Sequence, residues 1–368
     1  MKKVILSIAA LFAAFSLVAQ NENKLKYVDV NELEILGRGW TTEQLGDPFV
    51  RIPLALKDSC NAQLWNNLEC TAGMSIRFRT NSTKIWGKWT LRHNSHMNHM
   101  ADSGIKGADL YFLDDKGKWI PVYNIRPKND FQQEAEFVTR LDGSMHECCI
   151  FLPLYDGVTK MEIGVDPDAV IEKPVYNSPK KERGKIIWYG TSILQGGCAS
   201  RCGMASTNIV QRELDIECVN IATSGQGKMY YHMARALAQI ENVACYVIDP
   251  VPNCTLDDCK NLTVNFVNII RKAHPDTPII MVDGPMYPYA KFDSYLGKYL
   301  PEKNEAFHAG YEQLRKENPK NIYYVTCEGL TGVGEEGTVD GIHLTDYGFR
   351  GYADTLEKTL RKVLKIRK

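Results

Sequence analysis

The stretch that most limits the fold is KIIWYGTSILQGG, residues 185–197. Ile186, Ile187, Trp188 and Tyr189 form a short apolar run, which is what a buried strand needs. Gly190 ends the run, the hydroxyl pair Thr191 and Ser192 follows, and residues 206–214 read as a helix. A serine at the C-terminal end of a buried parallel strand is held at the mouth of a crevice. Open α/β sheets bind ligands at that edge. A serine nucleophile lacks a base, a group to orient that base, and donors for an oxyanion. Near the C-terminus, VDGIHLTDYGF puts Asp340 and His343 on one glycine-containing loop just before a helix. His343 is the expected general base, and Asp340 the carboxylate that holds its tautomer. Gly225 follows a second expected strand (216–222) and Asn253 a third (243–248). The N–H groups of Ser192 and Gly225 and the amide of Asn253 suit an oxyanion hole. Read blandly, Ser192 and His343 each cap a helix. That reading does not explain why these features and Asn253 map to one sheet edge.

These blocks resemble the SGNH (GDSL-type) serine esterases, which carry their functional residues in the order Ser, Gly, Asn and Asp-x-x-His. Ser192, Gly225, Asn253, Asp340 and His343 match one by one and in order, within residues 185–368. Two blocks depart. Gly190-Thr191-Ser192 stands where the family has Gly-Asp-Ser, and Val251-Pro252-Asn253-Cys254 where it has Gly-x-Asn-Asp. Neither departure removes a triad or oxyanion group. The resemblance implies a flavodoxin-like three-layer α/β/α hydrolase domain. The residues point the same way. Beyond 185, expected helices (229–240, 261–273, 302–317, 347–364) alternate with expected strands (279–283, 322–327). Such alternation means a parallel sheet covered on both faces.

Residues 1–19, MKKVILSIAALFAAFSLVA, set two lysines before a continuous apolar stretch and a small residue before Gln20. That is the pattern of a secretory signal peptide. The apolar part, about 16 residues, is short for a membrane span. No Cys sits at the expected cleavage point, and no later run is apolar enough to cross a bilayer. The expected location is therefore exported, periplasmic or secreted. Residues 20–165 have a β texture, with short runs at 75–80, 88–93, 108–113, 119–124, 136–141, 148–153 and 160–165. Turn signals such as Asp115-Lys116-Gly117 and Asp142-Gly143 lie between them. This spacing predicts a β-sandwich of jelly-roll type. Within it, Gly107-Ala108-Asp109-Leu110-Tyr111 resembles the GxDLY signature of a domain that precedes SGNH hydrolases in Bacteroidetes-type bacteria. Residues 166–184, with Pro167, Pro174, Pro179 and a charge cluster, read as a linker to the hydrolase domain at 185–368.

Basic and acidic residues each number 44, so the formal net charge is zero. No basic run stands out beyond Lys180, Lys181, Arg183 and the C-terminal helix, so nucleic acid is not an expected partner. An exported chain can form disulfides, and the odd count of 11 Cys leaves at least one unpaired. None has Cys-x-x-Cys spacing, and Cys218 and Cys245 fall in apolar strands, as buried thiols do. His93, His96 and His99 lie close together, but their spacing would split them between the faces of a strand. The surrounding Asn, Ser, Asp and Gly residues argue for a loop. No metal site and no cofactor is expected. His99 is instead a candidate to reach over the esterase mouth. Thr191, Gln195, Arg201 and Lys228 are further candidates for substrate contact, from their nearness in sequence to Ser192 and Gly225. Tyr230 and Tyr231 are candidates for a sugar-binding rim, and Asp346 for a helix-start carboxylate.

Together these readings imply a serine esterase that works through an acyl-enzyme on a small-molecule or glycan ester. Export, the β domain and the family resemblance favour a short acyl group, acetyl above all, on a carbohydrate. The alternatives are a lipase, thioesterase or acyltransferase on the same scaffold, or a glycan-binding protein with a silent hydrolase domain. The sequence leaves the oligomeric state open.

Overall fold

The structure, a computed structural model, describes residues 24–366, and the expected signal peptide at 1–19 lies outside them. Ten strands come first: β1 (Lys26–Asp29), β2 (Glu34–Leu36), β3 (Ser75–Thr80), β4 (Ile85–Leu91), β5 (Asp109–Leu113), β6 (Trp119–Asn124), β7 (Gln132–Val138), β8 (His146–Phe151), β9 (Val158–Val165) and β10 (Ile171–Glu172). One antiparallel sheet runs β1-β9-β4-β7. The second runs β10-β3-β8-β5-β6, with β2 also paired to β3. Side chains from both sheets, among them Phe78, Trp89, Leu110, Phe137 and Ile163, fill one core. A strand alternates its side chains between faces, yet β3 and β8 are buried on both. Ile76, Phe78, Cys148 and Ile150 enter the sandwich core. Cys149 and Phe151, with Tyr111 of β5, join a different core that also holds Ile186 and Trp188. The outer face of the second sheet is therefore a seam with the rest of the chain.

The remaining strands are β11 (Lys185–Gly190), β12 (Glu217–Asn220), β13 (Val243–Asp249), β14 (Ile279–Val282) and β15 (Ile322–Val325). They form one parallel sheet in the order β12-β11-β13-β14-β15. Trp188, Cys218, Cys245 and Val247 share a core with helices Ser206–Leu214 and Asp346–Val363. Tyr189, Val219, Tyr246 and Ile248 share the opposite one with helices Tyr231–Leu237, Thr263–Ala273 and Leu296–Glu317. This strand order with helices on both faces is the flavodoxin-like three-layer arrangement. The last helix illustrates why these segments coil. The Thr345 side chain caps its start by accepting from the Gly348 N–H at 3.2 Å. Phe349, Tyr352, Ala353, Leu356 and Leu360 recur at helical spacing on its buried face. Arg361 and Lys362 occupy the last turn, where the helix dipole favours cations.

Several boundaries differ from the sequence reading. The helix expected at 302–317 starts at Leu296 and carries Pro301 inside it. The helix expected at 261–273 is two, Leu256–Asn261 and Thr263–Ala273. The first of these is set by a capping box, in which Thr255 and Asp258 bond reciprocally. Residues 166–184, expected as a linker, contain β10, whose backbone pairs with β3. A two-residue strand held by main-chain bonds leaves no periodic apolar trace. All eleven cysteines are free thiols. Among the described residues, no helix is long and apolar enough to cross a membrane.

Candidate active site

β11 ends at Gly190, and the chain turns at once into the short helix Ser192–Gln195. From β11 the chain crosses to β12 on one side of it and returns to β13 on the other. Ser192 therefore sits at the topological switch point, where the loops after adjacent strands diverge and leave a crevice. The Ser192 Oγ lies 2.9 Å from His343 Nε2, and His343 Nδ1 lies 2.7 Å from Asp340 Oδ2. The loop that delivers both residues is closed on itself. Thr338 and Leu344 form an antiparallel bridge, and the Val339 N–H donates to the His343 carbonyl at 2.8 Å. The second oxygen of Asp340 accepts from the N–H groups of Ile342 (3.0 Å) and His343 (2.8 Å). Burial alone would raise this carboxyl, but hydrogen bonds from the His343 ring and from those two N–H groups outweigh it and hold it at about 2. Gly197 makes room for the imidazole. A Cβ there would come within 2.8 Å of the Tyr155 hydroxyl and 3.1 Å of His343 Cδ2.

Gly225 (φ +66°) lies on the loop after β12, in the left-handed region that favours glycine. That loop is held from several directions. Its Ser224 N–H donates to the Gln195 side chain at 2.8 Å, and Asn67 donates to the Ser224 carbonyl at 2.8 Å. Asn61 and Gln63 both bond the side chain of Gln226. Buried Arg51 donates to the carbonyls of Asn220 and Ala222, each at 2.8 Å. Asn253 ends the turn after β13. Its Oδ1 accepts from the Gly227 N–H at 3.1 Å, which leaves its NH₂ for the cleft that Asn253 lines. The cleft is about 470 Å³, within the usual range for small-molecule sites. Ser192, Gly225, Asn253 and His343 form one wall, and Tyr287, Tyr289, Tyr299, Leu296, Leu300 and Lys303 line the rest.

The other expected contacts are placed differently. Arg201 is turned away from the cleft. Its Nη1 donates to Asp109 Oδ2 and to the Tyr111 hydroxyl, each at 2.5 Å. Asp109 also accepts from the Gly203 N–H at 2.9 Å. The Asp and Tyr of the GxDLY-like motif thus clamp the loop that follows the short helix of Ser192, and an ion pair across the seam between the halves outcompetes a substrate contact. The far side of that loop is tied to the first turn of the last helix, where Asp346 accepts from the Ser200 N–H and hydroxyl. Gln195 is fully buried and serves the Ser224 loop. Thr191 is fully buried beneath the turn. Lys228 is not part of the cleft lining. Tyr230 and Tyr231 pack against the core of the far sheet face, so the aromatic rim comes from Tyr287, Tyr289 and Tyr299 instead. Those tyrosines escaped the sequence reading because they follow no block. Their only trace is the Tyr-Pro-Tyr run and the four-residue spacing of Tyr295 and Tyr299. Residues of the N-terminal half also come close to Ser192 and His343. The Tyr155 hydroxyl donates to the Ser192 carbonyl at 3.0 Å, and the ring of His99 lies 5.7 Å from that of His343.

The clamp is open to a direct check. Arg201→Ala removes the cation from Asp109, which is 1 % exposed. Leaving that carboxyl with the Gly203 N–H but without its ion-pair partner is expected to cost about 3 kcal/mol, measured as a lower urea midpoint. An unchanged midpoint would remove the clamp from the account.

Residues 183–361 match the GDSL-like lipase/acylhydrolase family, and residues 25–171 match the GxDLY domain, described as the N-terminus of SGNH-hydrolase-type esterases. No curated protein matches the chain. A GDSL-like lipase from Bacteroides ovatus ATCC 8483 is 35% identical, with a TM-score of 0.87, over 94% of this chain and 99% of that one. A salicylyl-acyltransferase from a tetracycline biosynthetic pathway is 17% identical, with a TM-score of 0.73, over 93% and 99%. An acetyl xylan esterase from Butyrivibrio proteoclasticus is 12% identical, with a TM-score of 0.58, over 93% and 99%. The last two likenesses are of fold. With the full-length likeness to the Bacteroides ovatus protein, the domain matches make this chain a member of the GDSL-like lipase/acylhydrolase family, an ester-bond hydrolase of the SGNH type.

Proposed function

We propose that this protein is an exported serine esterase that removes short acyl groups, acetyl foremost, from carbohydrate. The observation that carries the reading is the line Asp340–His343–Ser192, bonded at 2.7 and 2.9 Å and opening on a cleft walled by tyrosines. His343 Nε2 takes the proton of Ser192 as Oγ attacks the ester carbonyl. Asp340 holds the ring with its proton on Nδ1 and stabilises the imidazolium that forms. The N–H groups of Ser192 and Gly225 and the amide of Asn253 receive the oxyanion. His343 then gives its proton to the leaving alcohol, and a water activated by the same ring releases the acid. Tyrosine rings suit the flat faces of a sugar, and a cleft of this size suits a short acyl group better than a long chain. The acetyl xylan esterase of the same fold is consistent with that choice. The lysine-led apolar pattern of residues 1–19 supports export.

A p-nitrophenyl ester series tests the acyl group, and acetate release from acetylated glycans tests the alcohol. Acetate is expected to be turned over well and acyl chains of eight carbons or more poorly. Tyr289→Ala is expected to raise KM for an acetylated glycan by about tenfold, the worth of one aromatic contact, while leaving p-nitrophenyl acetate nearly unchanged. Preference for long chains would turn the reading to a lipase. Glycan binding without turnover of any ester would turn it to a binding protein.

A further inference from the structure

We propose that His99, Cys198 and His343 form a binding site for a borderline-soft divalent cation beside the ring of His343, and that Zn²⁺ there switches the enzyme off. One ligand atom from each of the three residues lies within 4.8 Å of the other two. Tetrahedral zinc, with bonds of about 2.0–2.3 Å to nitrogen and sulfur, sets its ligand atoms roughly 3.5 Å apart. The three groups therefore need to close by about an ångström, and the exposed His99 side chain is the least packed of the three. The two ring centroids lie 5.7 Å apart and the rings are tilted by 59°.

Both rings are already held as metal-bound imidazoles are held. His343 Nδ1 faces the Asp340 carboxylate at 2.7 Å, and His99 Nδ1 faces the Asn98 side-chain oxygen at 3.1 Å. An oxygen on Nδ1 favours the proton there and leaves the Nε2 lone pair for a metal. The other two histidines of the cluster are engaged elsewhere. His96 bonds Asp102 at 2.8 Å, and His93 lies 3.9 Å from Glu69. The donor set is two imidazoles and one thiol. That set suits zinc or cobalt, whereas calcium and magnesium take oxygen ligands. Binding forms the metal–sulfur bond and breaks the Cys198 S–H bond, with the proton released to water and no change of oxidation state. The metal takes the lone pair that His343 otherwise offers to the Ser192 hydroxyl. Loss of turnover rests on His343 being the base, but binding does not.

The test uses two probes on the full chain. Co²⁺ titration is expected to give one ion per chain with a thiolate-to-cobalt charge-transfer band, and Cys198→Ser is expected to abolish that band. ZnCl₂ is expected to inhibit p-nitrophenyl acetate hydrolysis, with recovery on adding EDTA. Relative to each variant's own metal-free rate, Cys198→Ser and His99→Ala are each expected to raise the half-inhibiting Zn²⁺ concentration at least tenfold. No band in the wild-type chain, or the same band in Cys198→Ser, overturns the site. A band with undiminished turnover supports the site and overturns His343 as the base.

Discussion

Ser192→Ala is expected to lower kcat by roughly 10⁴- to 10⁶-fold, because it removes the proposed nucleophile. The side chain is small, and its Oγ hydrogen-bonds His343. Alanine should therefore leave the fold in place, and an unchanged melting temperature separates lost chemistry from lost structure. His343→Ala should cost about as much, and the double variant little more than either alone, since a nucleophile and its base act as one unit. Steady-state turnover of p-nitrophenyl acetate by the three variants measures this. Residual activity within tenfold of wild type in Ser192→Ala would sink the acyl-enzyme.

Asp340→Asn is expected to lower kcat by about 10⁴-fold. The reason is geometric. One oxygen of Asp340 already accepts from two backbone N–H groups, those of Ile342 and His343. The amide oxygen of asparagine must take that position, so its NH₂ faces His343 Nδ1. The ring then carries its proton on Nε2 and cannot receive one from Ser192. The same substitution has a signature in acid. Asp340 titrates at about 2 in the folded chain, below its ordinary value of 3.8. The folded state binds that proton less readily than the unfolded state. Its stabilising contribution is present above the ordinary value and is lost as pH falls toward 2. Between those limits Asp340→Asn should lose stability less steeply than wild type, as measured by urea unfolding at each pH. Full activity in this variant would break the link from carboxylate to ring.

Much of the candidate site is legible in the sequence. β11 carries an apolar run whose length and flanks admit one reading, and Ser192 follows it without a gap. Asp340 and His343 lie on one short loop, so their bond depends on local geometry that spacing can foretell. Arg201 was not legible. Its direction depends on Asp109 and Tyr111, which lie some ninety positions earlier in the chain and approach only when the two halves pack. Tyr287, Tyr289 and Tyr299 form a wall because a loop and a helix start converge over the crevice, and no period in the sequence records that. The strands β3 and β8 read as ordinary alternating strands, yet both of their faces are covered.

Sequence alone indicated the alternation of strands and helices beyond residue 185, the candidate residues gathered at the C-terminal edge of the parallel sheet, and the division into a β half and an α/β half. Those properties follow from short-range periods and from which residue ends each strand. Tertiary structure decided which residues of the first half reach the second. Arg51, Asn67 and Tyr155 acquire their roles there, because their partners are chosen by how two surfaces fit. A side chain's neighbours along the chain are set by covalent bonds. Its neighbours across a seam are set by the burial of everything around it.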